Sequence, residues 1–165
     1  MKLKKILFLV ACSFLILVCI VFLVDFLIYS DEEKLLDILE ECKKGIHDEN
    51  TSYALKYVSN SYKDIFGLSK EDLLKIGEGV FSKFDEFKVI IEKTEVLVES
   101  DIATLSISFR MLITYNGQRT FLFGDLNKPA FVKLLFKRSE ENIKGWIIIG
   151  INELKTRWPI STIKN

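Results

Sequence analysis

Ala103-Thr104-Leu105-Ser106-Ile107-Ser108-Phe109-Arg110-Met111-Leu112-Ile113-Thr114-Tyr115-Asn116-Gly117 is the stretch that decides the fold class. Every second residue from Ala103 to Tyr115 is apolar or aromatic, and Thr104, Ser106, Ser108, Arg110 and Thr114 fall between them. Successive side chains of a strand point to opposite faces, so this alternation predicts a long strand with one face on a core and the other wetter. Asn116-Gly117 supplies two residues that tolerate positive φ, which turns the chain back into a strand over Arg119 to Phe123.

Working outward toward the C-terminus, Gly124 to Pro129 reads as a loop before a strand from Phe131 to Arg138. Asn142 to Gly145 then turns the chain into a last strand, Trp146 to Leu154. On the N-terminal side, Phe87, Val89 and Ile91 alternate with Lys88, Ile90 and Glu92, a further strand.

Upstream of Phe87 the period changes from two to between three and four. Ser69-Lys70-Glu71-Asp72 is a capping box opening a helix through about Phe84, with Leu73, Ile76, Val80 and Phe84 inward. Gly77 and Gly79 weaken it, so packing must compensate. Asn60 to Asp64 is loop-like, and a shorter helix is expected over Thr51 to Val58. Ser30-Asp31-Glu32-Glu33 is a second capping box, followed by Leu35, Leu39, Cys42 and Ile46 on one helical face, ending near Gly45 or His47. Helices first and antiparallel strands afterwards give an α+β class, about three helices packed on a curved antiparallel sheet. A chain of 165 residues has room for one such domain.

Ile6 to Val24 contains 15 Leu, Ile, Val or Phe residues in a run of 19, with Ser13 the one appreciably polar member. As a helix it would span about 28 Å, near the hydrocarbon thickness of a bilayer, and insertion would be favourable by roughly 5 kcal/mol. Lys2, Lys4 and Lys5 precede the run, and Asp25, Asp31, Glu32 and Glu33 follow it. The expectation is an uncleaved transmembrane helix touching membrane lipid through Ile6–Val24, with the N-terminus cytoplasmic and the C-terminal domain periplasmic or extracellular. Residues 1–29 would be tip and anchor, 30–155 the folded domain and 156–165 a tail. The residues after Val24 lack the small pair of a signal-peptide cleavage site. Leu9-Val10-Ala11-Cys12 resembles a lipoprotein box, but cleavage there would leave too short an apolar core before it and a longer apolar run after it.

Setting aside Lys2, Lys4, Lys5 and Asp25 leaves 20 basic and 22 acidic residues from Ser30 onward. With no basic surplus to neutralise phosphates, nucleic acid is not an expected partner. Cys12 and Cys19 lie in the apolar run, so Cys42 is the one thiol of the folded part, read as a small buried hydrophobe. One cysteine and one histidine, His47, cannot assemble a zinc site, and no metal is expected. His47, beside Asp48, Glu49 and Asn50, suits a solvated helix C-terminus. Trp146 and Trp158 read as core-filling. Lys133, Lys137, Arg138, Lys144, Lys155 and Arg157 read as a solvated strand face that could also meet anionic lipid.

Ser100-Asp101-Ile102-Ala103-Thr104-Leu105 entering the long strand and Gly145-Trp146-Ile147-Ile148 ending the sheet resemble the nuclear transport factor 2-like superfamily. The stretch from Tyr62-Lys63-Asp64 through Gly67-Leu68-Ser69, and Phe81 to Phe87, resembles uncharacterised bacterial members. The likeness runs roughly from Asp31 to Leu154. It implies a cone, with helices closing over the concave face of the sheet around a ligand or around side chains. Such proteins include isomerases, polyketide cyclases and dehydratases, as well as plain binding and assembly modules.

The isomerases place a general-base aspartate in the loop after their second helical region, and Asp64 falls nearest that position. Tyr53, Tyr57 and Tyr62 are candidate donors beside it. A second acid in the later strands is missing, because Met111 and Ile113 occupy the inward phase. The plainer role for Asp64 is to bind loop backbone.

The reading reached is a membrane-tethered, non-catalytic envelope module binding a small ligand or a protein partner, with Tyr57, Tyr62 and Asp64 as candidate ligand contacts. No cofactor is expected, and a homodimer is a candidate assembly. The alternatives are a structural subunit of an envelope or secretion complex, and an isomerase, dehydratase or cyclase using Asp64.

Overall fold

The computed structural model describes residues 14–20 and 30–156. Three helices precede the sheet: α1 over Asp31–His47, α2 over Thr51–Ala54 and α3 over Lys70–Phe81. Both long helices open on the capping boxes legible in the sequence. Ser30 Oγ accepts from the Glu33 amide while Glu33 accepts from the Ser30 amide, and Ser69 and Asp72 do the same. Helix α2 stops at Ala54 rather than Val58 because the following residues join the sheet. The Ser59 amide donates to Ile148 O at 2.9 Å, and the Ile148 amide donates to Tyr57 O at 2.8 Å. Helix α3 ends at Phe81 rather than Phe84, and Phe84 packs into a second apolar cluster instead.

The five strands are β1 Asp85–Glu99, β2 Ile102–Tyr115, β3 Gln118–Phe123, β4 Ala130–Arg138 and β5 Trp146–Lys155. All pair antiparallel in the order β1-β2-β4-β5, and β3 pairs with β2 beyond the stretch that meets β4. Strand β1 runs on to Glu99, well past the Glu92 at which simple alternation ends. The cause is a bulge: Ile91 pairs with Phe109, whereas Lys93 pairs with Ser108, leaving Glu92 out of register. The extra residue shifts the inward phase to Thr94, Val96 and Val98 and bends the strand. Arg110 on β2 forms an ion pair with Glu92, and its Nε donates to Asp125 O at 2.6 Å, tying the bulge to the β3–β4 loop.

Two apolar clusters lie between the helices and the sheet. The larger joins Leu35 and Ile38 of α1 to Leu105, Phe136, Trp146 and Ile148 of the sheet. The smaller holds Phe84, Phe87, Met111, Ile113 and Leu122 where β3 folds over. Trp146 is completely buried, as read from the sequence. Its indole Nε1 donates to Asp31 Oδ1 at 3.1 Å, and the same carboxylate accepts from Arg138 Nη2 at 2.8 Å. That carboxylate locks the start of α1 to β4 and β5. The Arg138 guanidinium beside Asp31 holds its carboxyl down at about 2.

The fold expectation needs one correction. Among the described residues no helix is long and apolar enough to cross a membrane, so the N-terminal transmembrane helix is not upheld. Of the run Ile6–Val24, residues 14–20 are described, and they are helical. The remainder of that run, and Arg157 and Trp158 near the C-terminus, lie outside the described residues.

Candidate apolar ligand cavity

Between the helices and the sheet lies a cavity of about 350 Å³. Its construction follows from the two periodicities. Helix α1 contributes Ile38, Leu39, Cys42 and Ile46, spaced so that they share one helical face. Strands β2 and β4 contribute alternate residues, Ile107, Phe109 and Met111 on one and Val132, Leu134 and Phe136 on the other. Helix α2 closes one side with Thr51, Ala54 and Leu55, and α3 closes another with Leu73, Ile76, Gly77 and Phe81. Helix α3 buries none of its residues completely: Leu73, Val80 and Phe81 pack against the two apolar clusters at their edges, while Leu73, Ile76 and Phe81 also border the cavity.

The exposed wall is wholly apolar, and no Asp, Glu, His, Lys or Arg lines it. Cys42 is its one thiol. Apolar surroundings push that thiol up to about 12, which keeps it protonated and a poor nucleophile. Gly77 lets α3 approach α2, because a Cβ there would stand 2.6 Å from Thr51 Cγ2.

The three candidate ligand contacts go to different places. Tyr62 lines the cavity and is almost fully buried. Its Oη is the one buried side-chain polar atom among the described residues without a hydrogen-bond partner. Burial, with the charge of nearby Asp64 adding to it, pushes this hydroxyl up, although Asp64 lies outside hydrogen-bond geometry.

Asp64 does not line the cavity. Its Oδ1 accepts from the amides of Phe66 at 2.8 Å and Leu68 at 2.9 Å, an aspartate closing its own loop. Tyr57 does not line it either. Its hydroxyl donates to Glu41 Oε2 at 2.8 Å, in a network where Lys56 also pairs with Glu41 and stacks on the Tyr53 ring at 4.0 Å. The Lys56 hydrogen bond and that of Tyr57 hold the Glu41 carboxyl below its ordinary range, against some desolvation.

His47 is not simply solvated. Its Nδ1 lies 3.1 Å from Phe87 O, and because a carbonyl only accepts, Nδ1 carries the proton and joins the end of α1 to β1. The basic residues grouped in the sequence are largely matched by acids. Lys133 and Lys155 meet Glu153, Arg138 meets Asp31, and Lys144 meets Asp37.

The resemblance implied an interior holding a ligand or side chains, and the structure leaves a cavity there; of the named contacts Tyr62 lines it and Tyr57 and Asp64 do not.

No protein-family model matches the sequence, and no curated protein matches it. Solved structures do match by shape. A nuclear transport factor 2-like superfamily protein from Salmonella enterica serovar Typhimurium is 9% identical with a TM-score of 0.63, over 82% of this chain and 96% of that one. A nuclear transport factor 2-like protein with a cystatin-like fold from Novosphingobium aromaticivorans is 12% identical with a TM-score of 0.57, over 82% and 85%. A proposed dehydratase of the same fold family from Streptomyces avermitilis is 10% identical with a TM-score of 0.59, over 74% and 93%.

Proposed function

We propose, on the premise that this chain has the nuclear transport factor 2-like, cystatin-like fold, that its domain binds a small, uncharged, largely apolar molecule inside the cone. The observation that carries this is a cavity of about 350 Å³ whose wall holds no charged group. Volumes from about 300 Å³ upward accommodate small ligands. Burying an ionised group costs several kcal/mol when nothing opposes it, so a carboxylate or ammonium would be rejected here.

The same wall gives little support to catalysis. General acid–base work needs a titratable group within hydrogen-bond reach of the substrate. Asp64, the candidate base, is engaged with loop amides and stands outside the wall. The Tyr62 hydroxyl, which burial keeps protonated, cannot serve as a base.

The test is titration of the full chain with 1-aminoanthracene, whose fluorescence rises in apolar surroundings. Wild type is compared with Leu134→Trp, which narrows the cavity from the β4 side. Binding at least about tenfold weaker in the variant, with an unchanged far-ultraviolet spectrum, supports the reading. Equal uptake by both proteins assigns the signal to exposed apolar residues such as those at 14–20 and overturns it. If Leu134→Trp does not fold, Leu39→Trp obstructs the same space from α1.

A further inference from the structure

Strand β1 lies at the end of the sheet, and among the described residues β2 is its only strand neighbour. Its opposite edge is engaged at the start, where Glu86 and Phe87 meet Glu49 and His47. Lys88 and Val89 border a groove shared with α1, and from Ile90 to Glu99 the edge has no partner strand among the described residues. Edge strands are ordinarily blunted by charges and bulges. On β1 the charges and the bulge instead form a pattern that complements itself.

We infer that two copies of this chain associate through antiparallel pairing of their β1 strands about a two-fold axis at Thr94, joining two sheets into one. The pairing with β2 defines the faces: Lys88, Ile90, Lys93, Glu95, Leu97 and Glu99 point outward, and Val89, Ile91, Thr94, Val96 and Val98 point inward. About Thr94, with Glu92 left out as it is against β2, Lys93 opposes Glu95 of the second copy. Ile90 then opposes Leu97, and Lys88 opposes Glu99. On the inner face Ile91 opposes Val96 and Val89 opposes Val98. Each contact occurs twice by symmetry, an isologous interface.

Neighbouring registers fail. An axis on Lys93 or Glu95 sets that residue against its own copy, like charge on like charge. An axis between residues sets an outward side chain against an inward one, which the two-residue period forbids. The side chains that would meet are available: Lys93 and Glu95 are 69% and 65% exposed, and Leu97 is 58% exposed. Within one copy Lys93 and Glu95 pair with each other along the strand, at 2.6 Å. Main-chain hydrogen bonds would supply the affinity, as in strand addition generally, and the side-chain ladder the register.

The experiment is sedimentation velocity on the full-length wild type, on Lys93→Glu, on Glu95→Lys and on an equimolar mixture of the two variants. Each variant alone opposes two pairs of like charges and should associate at least about tenfold more weakly than wild type. In the mixture every opposed pair is again of opposite sign, so association should return to the wild-type level. Both positions are exposed, and unchanged circular dichroism will show that folding is intact.

A wild type monomeric up to about 100 μM overturns the proposal, as that is the weak end of specific association. Variants that associate like wild type also overturn it, because they place the contact elsewhere. Variants that fail to recover on mixing overturn the Thr94 register. None of these outcomes depends on the cavity or on its ligand.

Discussion

Helices α1 and α3 begin alike and end up in different surroundings. Each opens on a serine capping box with an acidic first turn, and each carries an apolar stripe at helical spacing. Yet α1 buries Leu35 and Ile38 completely and Gly45 with them, whereas no residue of α3 is buried. Helix α1 has 17 residues against 12, and its first carboxylate is bolted to Trp146 and Arg138 across the sheet. The stripe of α3 faces the cavity. A cap and a stripe therefore say that a helix forms and which side turns inward. How tightly it is held depends on whether side chains or empty space lie opposite.

The strongest way to break this comparison is truncation. Leu35→Ala should cost about 3 kcal/mol in urea unfolding, because a fully buried leucine leaves a void that packed neighbours cannot close. Leu73→Ala on α3 should cost about 1 kcal/mol or less, since that side chain already borders open volume. Equal losses would show that the two helices are seated alike.

The glycines sharpen the same point at somewhat smaller scale. A Cβ at Gly45 would overlap the backbone of Ala54, and neither helix can move away from a packed core. Gly45→Ala should lose about 2 kcal/mol, measured by chemical denaturation. At Gly77 the obstacle is one methyl group of Thr51, on the loosely held side. There the gain in helix propensity of up to about 1 kcal/mol offsets the contact, leaving Gly77→Ala near neutral.

A pH series tests the bolt on α1. Asp31 titrates near 3.8 when unperturbed and is held down to about 2 by the Arg138 guanidinium. A depressed folded value means that its contribution is complete above about pH 4 and disappears as pH falls toward 2. Over that window wild type should lose about 1 kcal/mol more than Asp31→Asn, a figure already reduced for solvent screening around the half-exposed Arg138.

The smallest contrast is between two tyrosines. Tyr57→Phe gives up the hydrogen bond to Glu41 and should cost about 1 kcal/mol, whereas Tyr62→Phe removes a hydroxyl with no partner and should cost nothing or stabilise slightly. A marked loss in Tyr62→Phe would reveal a partner for that hydroxyl and reopen its pairing with Asp64.

Legibility in the sequence varied with how local the cause was. The capping boxes, the Asn116-Gly117 turn and the alternation of β2 depend on residues a few positions apart, and they stand where the sequence places them. The full length of β1 was hidden because the bulge at Glu92 interrupts its period. The end of α2 was hidden because Val58 is claimed by Ile148, ninety positions away in the chain. Among the candidate site residues, the loop chemistry of Asp64 was readable from its type and neighbours. The separation of Tyr57 from Tyr62 was not, since one meets α1 and the other the cavity.

By itself the sequence determined an α+β class, the starts of both long helices, and the inward face of the long strand β2. Period, caps and turn residues act over short distances, so one chain read alone suffices for them. Tertiary structure alone decided that the inward faces leave about 350 Å³ unfilled, that Asp64 stays outside that space, and that β1 ends the sheet with β2 as its one strand neighbour among the described residues. Those outcomes depend on how far apart helices and sheet come to rest, which is set by the summed volumes of side chains distant in sequence.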